Sequence, residues 1–302
     1  MFRTNDLILL LVVFSSMAAG ILWPLFGVWF QAFPVYMVMC LLFLSYLFIT
    51  PEDLWDTVKI STKTIFYLTL LKMVALPVGI YFLFRVVLPD YAMAALLLTG
   101  VSTGVVAPFI SSLVKANTPL VLVMVIITSP LTPLTLPCLV KLVSSQSIDI
   151  PFAEMIKMLG LVIFIPIMAV EVLRRVAPVI PAKIIRRRYP VSLAIFAVIN
   201  LGVFSRYSNF LLQHPATLLT ATLVGLALAG LYIVAVIPFF GKLPVADQLA
   251  AVISFGNMNN VLVIVFAAKF FGPLEPTVAA MYLIPFFGLI LPLRAYRKWR
   301  LG

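Results

Sequence analysis

The chain has 302 residues, of which 64% are hydrophobic and 10% are charged, and its formal net charge is +11. Soluble domains are about half apolar and about a quarter charged, so this composition excludes an ordinary soluble domain and indicates a protein that crosses a membrane several times. We therefore interpret the positive charge as loop charge that sets membrane orientation, and nucleic acid is not expected as a partner.

Ten apolar segments, each long enough for the roughly 20 residues that a membrane span requires, follow one another with short connections. We predict an all-α polytopic membrane protein with spans at 7–25, 33–49, 63–86, 91–115, 118–142, 155–174, 189–206, 216–239, 246–270 and 276–295. The spans divide into two sets of five, in residues 1–145 and 146–302. An odd number of spans in each half gives the halves opposite orientations, which is typical of transporters built from inverted repeats.

Lysine and arginine are unequally distributed between the two predicted membrane faces. Fifteen lie on the side of the termini and five on the opposite side. The positive-inside rule therefore predicts an inner or plasma membrane protein with both termini in the cytoplasm. The run Arg186-Arg187-Arg188 is interpreted as part of this orientation signal, with a lipid-headgroup site as the alternative.

Cysteine and histidine are scarce. Cys40 and Cys138 lie in apolar segments and are interpreted as buried small hydrophobic residues, and His214 lies in a loop. Without a CxxC pattern or a His/Cys cluster, a zinc or redox site is not expected. The spans also lack a nucleophile with a base and paired carboxylates, so an enzyme is not expected and no cofactor is predicted.

Lys72 lies well inside the third predicted span. An ammonium near the bilayer centre costs roughly 3 kcal/mol on insertion scales, so Lys72 is expected to face the protein interior or a watery cavity with a partner. No Asp or Glu lies deep in another span, so the sequence offers no carboxylate for it.

The fourth span carries Gly100, Gly104 and Pro108 at intervals of four residues. A proline inside a helix removes one backbone donor and clashes with the preceding turn. Hydroxyl groups can replace some of the lost hydrogen bonds, and the candidates are Ser102, Thr103, Ser111 and Ser112. Either this span is a kinked helix packed through small residues, or it is unwound and lines a substrate site.

The ninth span carries Ser254, Gly256, Asn257, Asn259 and Asn260 in an otherwise apolar run. An amide without partners in hydrocarbon costs several kcal/mol, and asparagine competes for the backbone groups of a helix. We predict a discontinuous helix here. Matching breaks in the two halves would place a site near the membrane midplane.

The fifth span contains Pro130, Pro133 and Pro137. These prolines are expected to bend the helix around the fourth span, and a hinge for alternating access is the alternative interpretation.

Three stretches of the chain carry a resemblance to a known family: 42–54, which ends in Pro51-Glu52-Asp53-Leu54, then 99–133, and then 254–259. Together they resemble the bile acid:sodium symporter family. The first is similar to the family's second span and the following loop, the second to its crossing fourth helix and the elements after it, and the third to its second crossing helix. The resemblance implies ten helices in two inverted repeats, with helices 1, 2, 6 and 7 as a panel. Helices 3–5 and 8–10 would form a core in which helices 4 and 9 cross. It also implies secondary transport of organic anions such as bile acids, sulfonated steroids or smaller carboxylates.

Several positions depart from the family pattern. Asn259, Gly104 and Gly256 match it, but the family's glutamate falls at Ser254 and its glutamine on the third span falls at Lys72. Other sodium-ligand positions carry side chains without a suitable oxygen: Ala107, Pro108, Val121, Val125 and Met258. Sodium, by the logic of hard cations, wants about six oxygen ligands. Sodium binding is therefore not expected, and Lys72 would supply the positive charge in its place.

We accordingly expect a sodium-independent organic-anion transporter that works by alternating access as a monomer in the lipid bilayer. Lys72 would hold the crossing together through Ser254, Asn257 and backbone carbonyls, and could release a proton to couple transport to pH, since burial disfavours the charged form. The residues expected at the crossover and substrate site are Ser102, Thr103, Gly104, Pro108, Ser111, Ser254, Gly256, Asn257, Asn259 and Asn260. A purely structural Lys72, a Lys72 that pairs with the substrate, a sodium-coupled symporter and an uncoupled channel or sensor are the alternatives.

Overall fold

The computed structural model describes residues 4–47, 62–143, 151–177 and 180–301, without the side chains of 4–6, 180–183 and 185–188. The loop motif Pro51-Glu52-Asp53-Leu54 and the side chains of Arg186-Arg187-Arg188 lie outside this description. All regular elements in the described ranges are helices, and an isolated bridge pairs Thr103 with Met258.

The first eight helices include one of only four residues and two that follow each other across a break. They are α1 (Thr4–Leu22), α2 (Pro24–Gly27, continued by a 3₁₀ turn Val28–Phe30), α3 (Pro34–Tyr46), α4 (Thr62–Val87), α5 (Ala92–Gly100), α6 (Ala107–Val114), α7 (Thr118–Val143) and α8 (Phe152–Val176).

The remaining helices lie in the second part of the chain and again include short ones and a pair separated by a break. They are α9 (Ile180–Arg206), α10 (Ser208–Gln213), α11 (Ala216–Phe240), α12 (Val245–Gly256), α13 (Asn260–Phe270), α14 (Leu274–Met281), α15 (Leu283–Gly288) and α16 (Ile290–Leu301).

Six spans in the described ranges are long and apolar enough to cross a membrane: Thr62–Val87, Thr118–Val143, Phe152–Val176, Tyr189–Arg206, Ala216–Phe240 and Leu274–Leu301. A seventh is possible if Leu7–Leu22 and Pro24–Phe30, which meet at 109°, count as one. The chain is thus a multi-pass membrane protein, and its described ranges are all-helical. The ten-span arrangement in inverted repeats stays a prediction.

The structure corrects several predicted span boundaries. The span predicted at 7–25 ends at Leu22, because Pro24 begins a new helix in another direction. The last predicted span, 276–295, is instead a row of three helices that starts at Leu274 and ends at Leu301.

The fourth and ninth predicted spans are each divided into two short helices. Residues 101–106 separate α5 from α6, and residues 257–259 separate α12 from α13. The alternative of a kinked but continuous fourth helix is wrong. The break precedes Pro108, which lies in the first turn of α6, where its missing N–H costs nothing.

Helix α7 continues through Pro130, Pro133 and Pro137 without interruption. Hydroxyl groups stay close to the backbone around the prolines: Thr128, Ser129 and Thr132 each donate to the carbonyl four residues earlier. The predicted bend and hinge stay predictions.

Cys40 and Cys138 are exposed, so their prediction as buried residues is wrong. They lie on the outer faces of α3 and α7. An apolar segment of a membrane protein need not face the protein core, because lipid tails solvate apolar side chains equally well.

The helices pack so that the two breaks lie against each other inside the protein. α1 packs along α9, and α3 packs against α8 and α9. α5 contacts α4, α7 and α14, and α12 contacts α6, α7 and α11. Residues 101–104 and 257–259 of the breaks are buried by these neighbours, whereas Val105 is partly exposed and Val106 is exposed.

Candidate functional site

The two broken helices cross through their backbones. The N–H of Gly104 donates to the carbonyl of Asn257 at 2.8 Å, and the N–H of Asn259 donates to the carbonyl of Ser102 at 2.9 Å. A membrane interior offers no water to the backbone groups that a helix break exposes, so they must find partners within the protein. Here each break supplies the partner of the other, in a short antiparallel bridge.

Gly104 permits this close approach. A Cβ atom at this position would lie 2.5 Å from the carbonyl oxygen of Met258 and 2.8 Å from that of Asn257. Both oxygens belong to the backbone and have little freedom to move. Glycine is therefore the residue that this crossing requires.

The carbonyl groups at the end of α12 all have donors from other elements. A helix end leaves its last four carbonyls without helical partners. The pairs are Ser254 O with Thr103 Oγ1 (2.9 Å), Phe255 O with Lys72 Nζ (3.4 Å), Gly256 O with Tyr282 OH (2.8 Å) and Asn257 O with the Gly104 N–H (2.8 Å). Each of these donors therefore fixes the end of α12 to a different part of the protein.

Lys72 is completely buried between the two breaks. Its Nζ donates to the carbonyl of Thr99 at 3.3 Å and to that of Phe255 at 3.4 Å, and it lies 5.6 Å from the centroid of the Phe255 ring. Thr99 is the penultimate residue of α5 and Phe255 that of α12. The ammonium therefore lies at the C-terminal ends of both half-helices, where the helix dipoles favour a positive charge.

A π-helical turn over Leu71–Ala75 positions Lys72. Pro77 has no N–H, and in a regular α-helix its ring would clash with the carbonyl of Met73. The wider turn accommodates the proline, and its extra residue changes the face on which Lys72 lies. The spacing from Lys72 to Pro77 was the available sequence signal for this turn.

The structure corrects the predicted contacts of Lys72 with two side chains. The hydroxyl of Ser254 donates to Ala250 O at 2.8 Å within its own helix, and the amide of Asn257 donates to Phe286 O at 2.8 Å. The acceptors of Lys72 are backbone carbonyls at two helix C-termini, where partial negative charge is concentrated.

Two tyrosines that sequence reasoning missed surround this point. Tyr282 donates to Gly256 O, and Tyr232 lies 2.9 Å from Thr99 Oγ1. Because the Thr99 hydroxyl donates to Ala95 O, Tyr232 is the donor of that second bond. Their signal in the sequence was a single tyrosine within each of two long apolar runs.

A cavity of about 410 Å³ lies beside the crossing, away from Lys72, which is not among its lining residues. Its size falls in the range of small-molecule sites, and its wall is mainly apolar. No lining residue in the described ranges is acidic or basic. The lining includes Gly104, Val105, Val106, Met258, Asn259, Asn260 and Val261 from the breaks, Leu9, Leu41 and Ser45 from α1 and α3, Ser192 and Phe196 from α9, and Phe286 and Phe287 from α15.

The N-terminal ends of the second half-helices face this cavity. Asn259 caps α13 by accepting from the Leu262 N–H at 3.4 Å, and Val105 and Val106 precede α6. Asn260 donates to Ala279 O, while its side-chain oxygen has no protein donor. Ser102 Oγ and Asn257 Oδ1 likewise lack protein partners. These helix ends carry partial positive charge, which favours an anion.

The structure brings most of the predicted site residues together, but not all of them. Ser102, Thr103, Gly104, Ser254, Gly256, Asn257, Asn259 and Asn260 lie at the crossing with Lys72. Ser111 does not, since its Oγ lies 2.6 Å from Pro108 O and 2.7 Å from Thr118 Oγ1. Neither Ser111 nor Pro108 lines the cavity.

Comparison with known proteins confirms the resemblance found in the sequence. The profile described as the sodium bile acid symporter family matches residues 34–214, which is more than half of the chain. No curated protein matches the chain. The chain therefore belongs to the sodium bile acid symporter family and is a multi-pass membrane transporter.

Proposed function

We propose that the protein is a secondary transporter that moves organic anions by alternating access without sodium, and that Lys72 takes the place of bound sodium. In this proposal the ten spans form two inverted repeats. Of the ten predicted spans, the first, second, sixth and seventh form the panel, and the other six form the core. Both termini face the cytoplasm, and the monomer is the transporting unit.

The position of the Lys72 ammonium carries the proposal. It lies at the C-terminal ends of α5 and α12 and donates to one carbonyl from each. A cation at this point neutralises two helix ends and links the two halves of the core. Since the chain supplies this cation itself, the crossing does not need one from solution.

The same contacts argue against sodium at this point. A sodium ion needs carbonyl or hydroxyl oxygens that accept its charge. The carbonyls of Thr99 and Phe255 already accept from Lys72, and the Ser254 hydroxyl bonds within its helix. An ammonium and a metal ion would compete for the same oxygens and repel each other.

The cavity supports an anion with an apolar body as the substrate. Its wall is mainly apolar, and the positive ends of α6 and α13 face it. A carboxylate, sulfate or sulfonate would bind at these helix ends, while the apolar body would contact the leucines and phenylalanines. Lys72 does not line the cavity, which disfavours its direct pairing with the substrate.

Uptake into proteoliposomes tests the proposal. The wild type, Lys72→Gln and the matched control Lys157→Gln, a substitution on α8 outside the crossing, would be compared with taurocholate, a steroid sulfate and a small monocarboxylate. We expect equal wild-type uptake with an inward sodium or choline gradient, and a pH dependence that Lys72→Gln alters and Lys157→Gln preserves.

Clear sodium dependence of the wild type would overturn sodium independence. An unchanged pH profile in Lys72→Gln would remove the coupling role and leave Lys72 structural. Counterflow separates a carrier from a channel, because preloaded substrate accelerates uptake only through a carrier.

A further inference from the structure

A second, basic pocket lies where the end of α6 packs against α16. Its volume is about 510 Å³, and it is open to the surface. Among the described residues that line it, four of seven are cationic and none is acidic. The lining consists of Leu113, Val114, Lys115, Arg294, Arg297, Lys298 and Leu301.

Arg294 is held in place at the wall of this pocket. Its Nε and one terminal nitrogen, Nη2, donate to the carbonyl of Leu113 at 3.2 and 3.0 Å. This bidentate contact caps the C-terminus of α6 and accounts for Arg294 as a structural residue. This contact explains the presence of Arg294 but not that of the other three cationic residues that line the pocket.

Lys115 has a backbone conformation that favours glycine, with φ 57° and ψ 43°. It is the only non-glycine residue with positive φ in the described ranges. The hydrogen bonds of a helix-ending motif hold it there, from Lys115 N to Ser112 O and from Ala116 N to Ser111 O. Glycine is the usual residue at this point of the motif, so the lysine is present despite a backbone cost. Its side chain adds a cation to the pocket.

The surroundings of the pocket are those of a membrane interface. Next to the basic residues, Trp299 and Leu301 are 75% and 60% exposed. Exposed tryptophan beside lysine and arginine is typical of the headgroup level of a bilayer. The sequence predicts this end of the molecule to face the cytoplasm, where membranes carry anionic lipids.

We propose that this basic pocket binds the phosphate of an anionic phospholipid headgroup. The guanidinium of Arg297 and the ammonium groups of Lys115 and Lys298 contact the phosphate, and Arg294 fixes the wall. Basic pockets between membrane helices on the cytoplasmic side bind such headgroups. The apolar lining residues Leu113, Val114 and Leu301 favour a lipid over a free phosphate ion, because the lipid also supplies apolar surface.

Native mass spectrometry of the full chain in neutral detergent tests this proposal. Phosphatidylglycerol would be titrated against the wild type, against the triple variant Lys115→Gln/Arg297→Gln/Lys298→Gln, and against the control Arg85→Gln/Lys157→Gln/Arg206→Gln. Both variants lose the same charge, and the control residues lie outside the pocket. We expect phosphatidylglycerol to bind about a hundredfold more weakly to the pocket variant, since each cation near anionic lipid contributes roughly fivefold, and the control to resemble the wild type.

Equal losses in the two triple variants, or wild-type binding of phosphatidylcholine as tight as that of phosphatidylglycerol, would overturn the proposal. So would displacement of the lipid by millimolar inorganic phosphate, because the pocket would then belong to a soluble anion.

Lys115→Gly keeps the test decisive if the triple variant fails to fold. Glycine relieves the backbone, so we expect a higher unfolding temperature without lipid together with about fivefold weaker phosphatidylglycerol binding. A stabilised variant with unchanged lipid affinity would contradict the proposal.

Discussion

Gly104→Ala is the most direct test of the backbone crossing. The added methyl group would lie 2.5 Å from Met258 O and 2.8 Å from Asn257 O. Carbon and carbonyl oxygen ordinarily approach to about 3.3 Å. The two extended segments must therefore separate by roughly 0.8 Å at their closest point.

This separation weakens both hydrogen bonds of the bridge. At 2.8 and 2.9 Å they have ordinary lengths, and an increase of about 0.8 Å takes them beyond the range of a hydrogen bond. A buried donor or acceptor that loses its partner costs about 1–3 kcal/mol. With two bonds affected, we expect the free energy of unfolding to fall by about 4 kcal/mol.

Thermal unfolding in a neutral detergent, followed by far-UV circular dichroism, measures this loss. Gly230→Ala is the matched control, because Gly230 lies inside α11 and, apart from the adjacent backbone of its own helix, no atom lies within 4 Å of the point that its new methyl group would occupy. The control should be stabilised by about 0.5–1 kcal/mol through helix propensity. Equal unfolding temperatures for the two variants would refute the close backbone approach at Gly104.

Two further substitutions test the neighbouring groups. Tyr282→Phe removes the donor to Gly256 O and should lower the free energy of unfolding by about 1–2 kcal/mol. The control Tyr36→Phe, at an exposed position on α3, should leave the free energy of unfolding unchanged. Equal effects of the two variants would contradict the role of the Tyr282 hydroxyl. Val106→Trp fills the cavity and should abolish substrate uptake without changing the unfolding temperature. The control Val86→Trp, on an exposed face of α4 outside the cavity, should preserve uptake. Full activity of Val106→Trp would exclude the cavity as the substrate site.

The breaks could be predicted from the sequence, but their pairing could not. Three asparagines within four residues and a proline after two spaced glycines are local signals, because each competes with helical hydrogen bonding. Which residues of the two breaks face each other depends on how the surrounding helices pack. The register that joins Gly104 to Asn257 therefore appears only in the folded chain.

The environment of Lys72 shows a second limit of sequence reasoning. The cost of a buried ammonium predicts a partner, but the spans hold no carboxylate that could serve as one. Its acceptors are carbonyls of Thr99 and Phe255, and every residue type has a carbonyl. Cys40 and Cys138 were misjudged for a related reason, since an apolar run does not distinguish a lipid-facing side from a core-facing side.

A covalently attached cation changes the thermodynamics of the proposed transport cycle. A sodium ion can leave its site on the other side of the membrane and so contribute its gradient. Lys72 cannot leave, and only its proton can. A cycle in which Lys72 releases one proton with each monovalent anion moves no net charge, whereas an uncoupled cycle moves the negative charge of the anion.

The membrane potential separates these two cycles. Moving one charge through 100 mV is worth about 2.3 kcal/mol, which corresponds to roughly a 50-fold change in the accumulation ratio. In proteoliposomes whose membrane potential is set with valinomycin and potassium, we expect wild-type accumulation of a monocarboxylate to depend on the pH gradient and not on the membrane potential. Lys72→Gln has no proton to release, so its accumulation should follow the potential instead. A wild type that responds to 100 mV as strongly as Lys72→Gln would show that Lys72 neutralises the two helix ends without taking part in coupling.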